Sequence, residues 1–198
     1  MVMPLLLPDA PVVVWWPNEA PAVPSEDAVG KLGQRRITDA LSAKNPTKAF
    51  EQRRANYVAG DTDLTWTRLT PWRALLATAL DAPPHEPVTG ATVAGEVVSP
   101  STDLMAGWLA ECLGIKVKRS PSASGPGLGA VRLERRGGAV ELVRPDGKVG
   151  RLSQPGQPDR LVALARREVR DCLAEELRRL DPDEIYGAAL SGIAKTSR

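Results

Sequence analysis

The chain has 198 residues, of which 42% are hydrophobic, and its 26 basic and 24 acidic side chains leave a formal net charge of +2. This near balance of charge excludes the strongly basic surface of a dedicated nucleic-acid-binding protein. No run approaches the roughly 18 consecutive apolar residues of a membrane span. We therefore expect one domain over residues 1–198, in the cytoplasm, without nucleic-acid or membrane partners.

Residues 1–119 alternate between strand and helix patterns. Val12–Trp16 is a continuous apolar run between two prolines, which is typical of a strand buried on both faces of a parallel sheet. Residues 35–41 resemble a second strand, with Asp39 near its carboxyl end. The alternation predicts an α/β fold with a mixed, largely parallel sheet flanked by helices.

Two helices in this part can be located from their first residues. Thr70 followed by Pro71 predicts a helix start. The hydroxyl of Thr70 can accept a hydrogen bond from a free backbone N–H, and the N–H that proline lacks would have no partner at the first helical position. Ser99 followed by Pro100 predicts another helix, which we expect to end at Gly114.

The pattern changes after residue 119. Residues 120–129 are rich in Ser, Gly and Pro, so we expect a mobile loop. Alternating residues with a Gly137-Gly138 turn predict an antiparallel meander over 130–154. Residues 159–193 are expected to form C-terminal helices, and apolar side chains at helical spacing from Leu161 to Leu180 predict one long helix among them.

The stretch Asp61–Arg73 packs two carboxylates, two arginines and two tryptophans into one short run. Alternation over residues 64–68 predicts a strand that leads directly into the next helix. Such junctions often carry binding surfaces in α/β proteins, and tryptophan and arginine are the common interface hot spots. A structural interpretation stays open, with a turn after Gly60 and carboxylates paired to Arg68 or Arg73.

Three acidic residues are candidates for acid/base or metal chemistry, namely Asp39, Asp61 and Asp63. Asp39 follows one strand and the other two enter the next strand, so the three need not converge. The chain has one histidine, His85 in a proline-rich loop, which nearly excludes a histidine metal site or a serine triad. No glycine-rich phosphate loop follows a strand. We therefore expect no catalytic residue, cofactor or metal.

The remaining charged pairs and the cysteines have ordinary interpretations. Cys112 and Cys172 lie on apolar stripes, so both are expected to be buried and unreactive. The arginine pairs are expected on solvated faces; they are Arg35-Arg36, Arg53-Arg54, Arg135-Arg136, Arg166-Arg167 and Arg178-Arg179.

Five segments carry a resemblance that spacing alone does not explain. They include the runs Arg-Arg-Ile-Thr-Asp-Ala and Gly-Asp-Thr-Asp-Leu-Thr-Trp-Thr-Arg-Leu-Thr-Pro-Trp-Arg, and they lie at residues 5–17, 35–40, 60–73, 106–110 and 172–186. In this order they resemble the OpcA family of bacterial glucose-6-phosphate dehydrogenase assembly proteins, over nearly the whole chain. The resemblance is to the C-terminal region of that family, whose members usually carry a further N-terminal region.

The resemblance implies a non-enzymatic protein, an assembly factor or allosteric activator that binds glucose-6-phosphate dehydrogenase. It places the protein in the oxidative pentose phosphate pathway and NADPH supply. It implies no cofactor and argues against a small-molecule ligand.

The residues expected to bind the dehydrogenase are Trp16, Asp61, Asp63, Trp72 and Arg73. Trp72 and Arg73 are the better interface candidates, whereas Trp66 and Arg68 are expected to be structural. The alternative is an α/β sensor or enzyme that binds a sugar phosphate through Asp39, Asp61, Asp63 and nearby arginines.

Overall fold

The computed structural model describes residues 10–96, 98–122 and 127–197. These residues form helices and two sheets, one parallel and one mixed, which confirms the mixed α/β fold class. Whereas the sequence predicts one domain, the chain divides into two compact units. The first unit comprises Met1–Thr67 and Glu168–Gly187, and the second comprises Arg68–Arg167 and Ala188–Arg198.

The first unit contains a three-stranded parallel sheet in the order β1-β2-β3. Its elements are β1 (Val13–Trp15), β2 (Arg35–Thr38), α1 (Pro46–Ala55), β3 (Asp61–Asp63) and α2 (Leu64–Arg68). β1 lies at an edge of the sheet and Trp15 is 37% exposed, so the expectation of a first strand buried on both faces is wrong. The core of this unit includes Ile37, Leu64 and Cys172, all fully buried.

Residues 64–68 form the helix α2 and not the predicted strand. The reason is local, because a carboxylate oxygen of Asp63 accepts a hydrogen bond from the backbone N–H of Thr65 at 2.9 Å. This bond satisfies one of the N–H groups that every helix start leaves without a partner. The next helix, α3 (Thr70–Asp81), begins where the Thr70-Pro71 pair predicts it.

The second unit contains a seven-stranded sheet in the order β10-β5-β4-β6-β7-β8-β9. β5 pairs in parallel with β4 and β10, and the pairs from β4 through β6, β7 and β8 to β9 are antiparallel. The strands are β4 (Gly90–Gly95), β5 (Val117–Pro121), β6 (Leu128–Glu134), β7 (Val140–Val143), β8 (Val149–Ser153), β9 (Arg160–Ala163) and β10 (Thr196–Ser197).

Helix α4 (Pro100–Leu113) connects β4 to β5 and is followed by Gly114 at φ 63°, as the sequence predicts. Helix α4 makes a close contact, at Gly107, with Ala189 and Ile193. A Cβ atom at Gly107 would lie 2.2 Å from the carbonyl oxygen of Ala189 and 2.8 Å from Cγ1 of Ile193. Only glycine permits this approach.

The long helix predicted from Leu161 to Leu180 does not form. Residues 160–163 are β9, which pairs with β8, and the helices that follow are α5 (Val169–Glu176) and α6 (Glu184–Gly192). Pairing with a neighbouring strand overrides the helical spacing of the leucines. Of the loop expected at 120–129, residues 123–126 lie outside the described residues, and its two ends belong to β5 and β6.

Within the described part of the chain, no helix is both long enough and apolar enough to cross a bilayer.

Candidate functional site

Asp63, expected at an interface, is completely buried in the first unit. Its carboxylate accepts hydrogen bonds from the hydroxyl of Thr38 at 2.7 Å and from the N–H groups of Ala40 and Thr65, both at 2.9 Å. These bonds join the end of β2 to the start of α2. Asp63 therefore stabilises the fold, and its predicted contact with a partner stays an untested prediction.

Asp61 also has an internal role, but it keeps some exposure. It forms an ion pair with Arg36, and its other oxygen accepts the N–H of Val58 at 3.1 Å. Arg36 in turn donates to the carbonyl oxygens of Gly33 at 2.7 Å and Ala59 at 2.8 Å. The turn lies at Gly60 and not after it, since the N–H of Asp61 donates to the carbonyl oxygen of Val58 at 2.9 Å and β3 begins at Asp61. The arginine that pairs with Asp61 is Arg36 and not Arg68 or Arg73.

A buried polar network fixes the segment 172–186 to the rest of the first unit. Arg35 forms an ion pair with one oxygen of Glu176, and it donates to the carbonyl oxygen of Asp181 at 2.6 Å. The hydroxyl of Thr67 donates to the other oxygen of Glu176 at 2.6 Å. The side chains of Arg35 and Glu176 are 2% and 8% exposed, so the pair lies away from water.

Trp66 extends this connection with aromatic contacts. Its indole N–H donates to Asp183 at 2.8 Å, and the other oxygen of Asp183 accepts the N–H of Tyr186 at 2.9 Å. The ring of Tyr186 lies 5.9 Å from Trp66 and 5.7 Å, edge on, from Tyr57. Burial, aided by nearby Asp63 and Asp61, raises the pKa of Tyr186 well above its ordinary value. Two of the segments that carry the family resemblance thus meet in one buried cluster.

Trp72, the strongest interface candidate from the sequence, is 1% exposed in the second unit. The guanidinium of Arg144 lies over its ring at 5.1 Å and donates to the carbonyl oxygens of Leu128 and Leu164, both at 3.1 Å. Burial lowers the pKa of Arg144 to about 10. The ring of Trp72 therefore packs inside the second unit, and its predicted contact with a partner stays an untested prediction.

Arg73 and Trp16 remain partly exposed, so their predicted contacts with a partner are still predictions. Arg73 donates to the hydroxyl of Thr70 at 3.1 Å within α3. Trp16 directly follows β1, and Trp15 beside it is more exposed.

Several arginines expected on solvated faces are buried instead, namely Arg35, Arg36, Arg53 and Arg135. The cysteines also differ from each other. Cys172 is buried as expected, whereas Cys112 is exposed near the end of α4, which corrects its prediction. Partial burial and neighbouring Glu111 still raise the pKa of the Cys112 thiol.

Asp39 has a different role from the other two acidic candidates, Asp61 and Asp63. It lines a cavity of about 400 Å³ in the first unit, and one of its oxygens accepts the hydroxyl of Ser42 at 2.7 Å. Asp61 and Asp63 do not line this cavity. The three carboxylates proposed for a single sugar-phosphate site are therefore not assembled into one.

Comparison with known proteins gives a family for the chain. A family model that describes the C-terminal domain of a glucose-6-phosphate dehydrogenase subunit matches residues 59–190, and the model of the corresponding N-terminal domain matches residues 1–55. The likeness therefore includes the N-terminal domain as well as the C-terminal one. No curated protein matches the chain.

Solved structures show the same fold in a distant protein, KijD10, a 3-ketoreductase from Actinomadura kijaniata. Its complex with TDP-benzene and NADP in the open conformation is 10% identical, with a TM-score of 0.53, covering 99% of this chain and 80% of that one. A point mutant of the same enzyme, bound to the same two ligands, is 11% identical, with a TM-score of 0.55, covering 100% of this chain and 81% of that one. At this identity the likeness concerns the fold alone.

Proposed function

Because the chain belongs to the family of glucose-6-phosphate dehydrogenase subunits that these two models describe, we propose that it is a non-catalytic assembly factor or allosteric activator of that dehydrogenase. The match over residues 1–55 and 59–190 is the observation that carries the proposal. In this role the protein binds the dehydrogenase in the bacterial cytoplasm and favours its active assembly. It thereby supports NADPH supply through the oxidative pentose phosphate pathway.

The engagement of the acidic side chains supports a binding role over acid/base chemistry. Asp63 is surrounded by three donors, Asp61 pairs with Arg36, and Glu176 uses both of its oxygens inside the fold. Carboxylates held in this way stabilise the structure and do not reach a substrate.

In our proposal each unit contacts the dehydrogenase through the partly exposed residues that the sequence predicts in it. In the first unit these are Trp16 and Asp61, to which we add Trp15 because it is 37% exposed. In the second unit the predicted residue is Arg73. Exposed tryptophan and arginine side chains are the usual anchors of protein interfaces.

Size-exclusion chromatography of the dehydrogenase with each variant tests these residues. We expect Trp15→Ala, Trp16→Ala and Arg73→Ala, studied one at a time, to weaken association by about 2 kcal/mol per anchor while the melting temperature stays near that of the parent. Leu161→Ala is the matched control, since Leu161 is 80% exposed but not predicted at the interface. Parent-like binding by all three variants would remove this surface from the proposal, and failure of the parent to bind would refute the function itself.

A further inference from the structure

The cavity of about 400 Å³ opens where the strands β1 and β2 end. Its walls are formed by residues 18–20 after β1, residues 38–40 at the end of β2, and the start of α1 with the residues before it. Small-molecule sites commonly have volumes of about 300 to 1,000 Å³. In open α/β sheets, ligands bind at the carboxyl ends of parallel strands. The position and size of the cavity are therefore those of a ligand site.

Three basic side chains line the cavity. Lys44 and Lys48 are exposed at its rim, beside the first turn of α1. Below them Arg53 is 7% exposed and donates to the backbone carbonyl oxygens of Ala20, Pro21 and Ala22. These hydrogen-bond partners are neutral and hold the guanidinium in place, while the charges of Asp63, Asp61 and Glu19 act on it from nearby. The positive end of the α1 dipole adds to the same field.

The cavity lining also carries acceptors, one of them next to Lys44. Asp39 is 1% exposed at the end of β2, and Glu19 follows β1 and accepts the N–H of Lys44 at 2.7 Å. Gln52 on α1 adds an amide that can both donate and accept. Carboxylates repel an anion but accept hydrogen bonds from hydroxyl groups. A ligand that fills the cavity should therefore carry both an anionic group for the basic side chains and hydroxyl groups for the carboxylates.

We propose that this cavity binds a small phosphorylated polyol, the chemical class of the sugar phosphates. The phosphate lies at Lys44, Lys48 and the start of α1, and the hydroxyl groups lie toward Asp39. The site is inferred from the cavity and its charges, whereas the choice of glucose 6-phosphate as the first probe rests on the proposed function. Bound there, the ligand makes the protein responsive to the concentration of a sugar phosphate.

Isothermal titration calorimetry of the full chain without the dehydrogenase tests the site. The probes are glucose 6-phosphate, followed by other hexose and pentose phosphates, with glucose and inorganic phosphate as separate arms. We expect saturable binding of at least one sugar phosphate, and binding at least about tenfold weaker for glucose and for inorganic phosphate.

The variant Lys44→Ala/Lys48→Ala should weaken that binding by at least about tenfold. The control Lys31→Ala/Lys116→Ala removes two exposed lysines that do not line the cavity and should bind like the parent. Lack of binding by every sugar phosphate at millimolar concentration, equal binding of inorganic phosphate, or an equal loss in the control would each overturn the proposal. Because the dehydrogenase is absent, this result is independent of whether the two proteins associate.

Discussion

The buried pair of Arg35 and Glu176 should make the first unit sensitive to the loss of either partner alone. Glu176→Ala leaves the guanidinium of Arg35, which is 2% exposed, without its carboxylate. Removing one partner of a buried ion pair costs about 3 to 5 kcal/mol. Since Arg35 keeps its bond to the carbonyl oxygen of Asp181 while the hydroxyl of Thr67 loses this acceptor, we expect the free energy of unfolding to fall by about 3 kcal/mol.

Urea unfolding followed by tryptophan fluorescence measures this loss. Glu51→Ala is the matched control, because Glu51 pairs with Arg54 at 3.5 Å on the exposed face of α1 and such pairs contribute about 0.5 kcal/mol or less. The double variant Arg35→Met/Glu176→Leu replaces the pair by apolar side chains and should recover most of the loss. The reasoning is refuted if Glu176→Ala costs no more than Glu51→Ala, or if the double variant is less stable than the single one.

Three further predictions concern other parts of the structure. A thiol reagent should label Cys112 in the native protein and Cys172 only after unfolding; the reverse order would contradict the burial. Because burial raises the pKa of the Cys112 thiol, the increase of its labelling rate with pH should occur at a higher pH than for an unperturbed thiol. Gly107→Ala should lower the melting temperature well below that of Gly90→Ala, because a Cβ at Gly107 would lie 2.2 Å from a carbonyl oxygen and one at Gly90 meets nothing within 4 Å. Because the folded protein raises the pKa of Tyr186 above its ordinary value of 10.0, stability is complete below that pH and falls above it. Tyr186→Phe should therefore reduce the alkaline loss in urea unfolding, and an unchanged pH dependence would count against it.

Short sequence patterns predicted the helix ends and the hairpin, because a few neighbouring residues determine these features. The Ser99-Pro100 start and Gly114 end of α4 and the start of α3 near Thr70-Pro71 involve residues within one turn of the feature they determine. The hairpin of β6 and β7 also forms, but its loop covers residues 135–139 and is longer than a turn at Gly137-Gly138 alone. The family resemblance, which depends on longer runs, was confirmed by the two family models.

Features set by distant partners could not be predicted in this way. Leucines from 161 onward have helical spacing, but pairing with β8 makes residues 160–163 a strand. Arg35 was expected on a solvated face, yet its partner Glu176 is 141 residues away in sequence. No local pattern reports such a pair, and hydrophobic periodicity says nothing about a buried arginine.

The candidate site was predicted only in part. Asp39 was singled out because it follows a strand, and it does line the cavity at that end of the sheet. The grouping with Asp61 and Asp63 was wrong, since those carboxylates bond inside the fold. The cavity itself depends on three segments that are separate in sequence, so its lysines could not be associated with Asp39 before the fold was known.

In the role that we propose from its family, this chain is a partner of glucose-6-phosphate dehydrogenase. Sedimentation velocity of the dehydrogenase at increasing concentrations of the chain tests it most directly, with turnover measured on the same samples. We predict a faster-sedimenting species that saturates at a fixed stoichiometry, together with a saturable rise in turnover or in the fraction of the active oligomer. An unchanged sedimentation profile and unchanged turnover at every concentration would contradict the account.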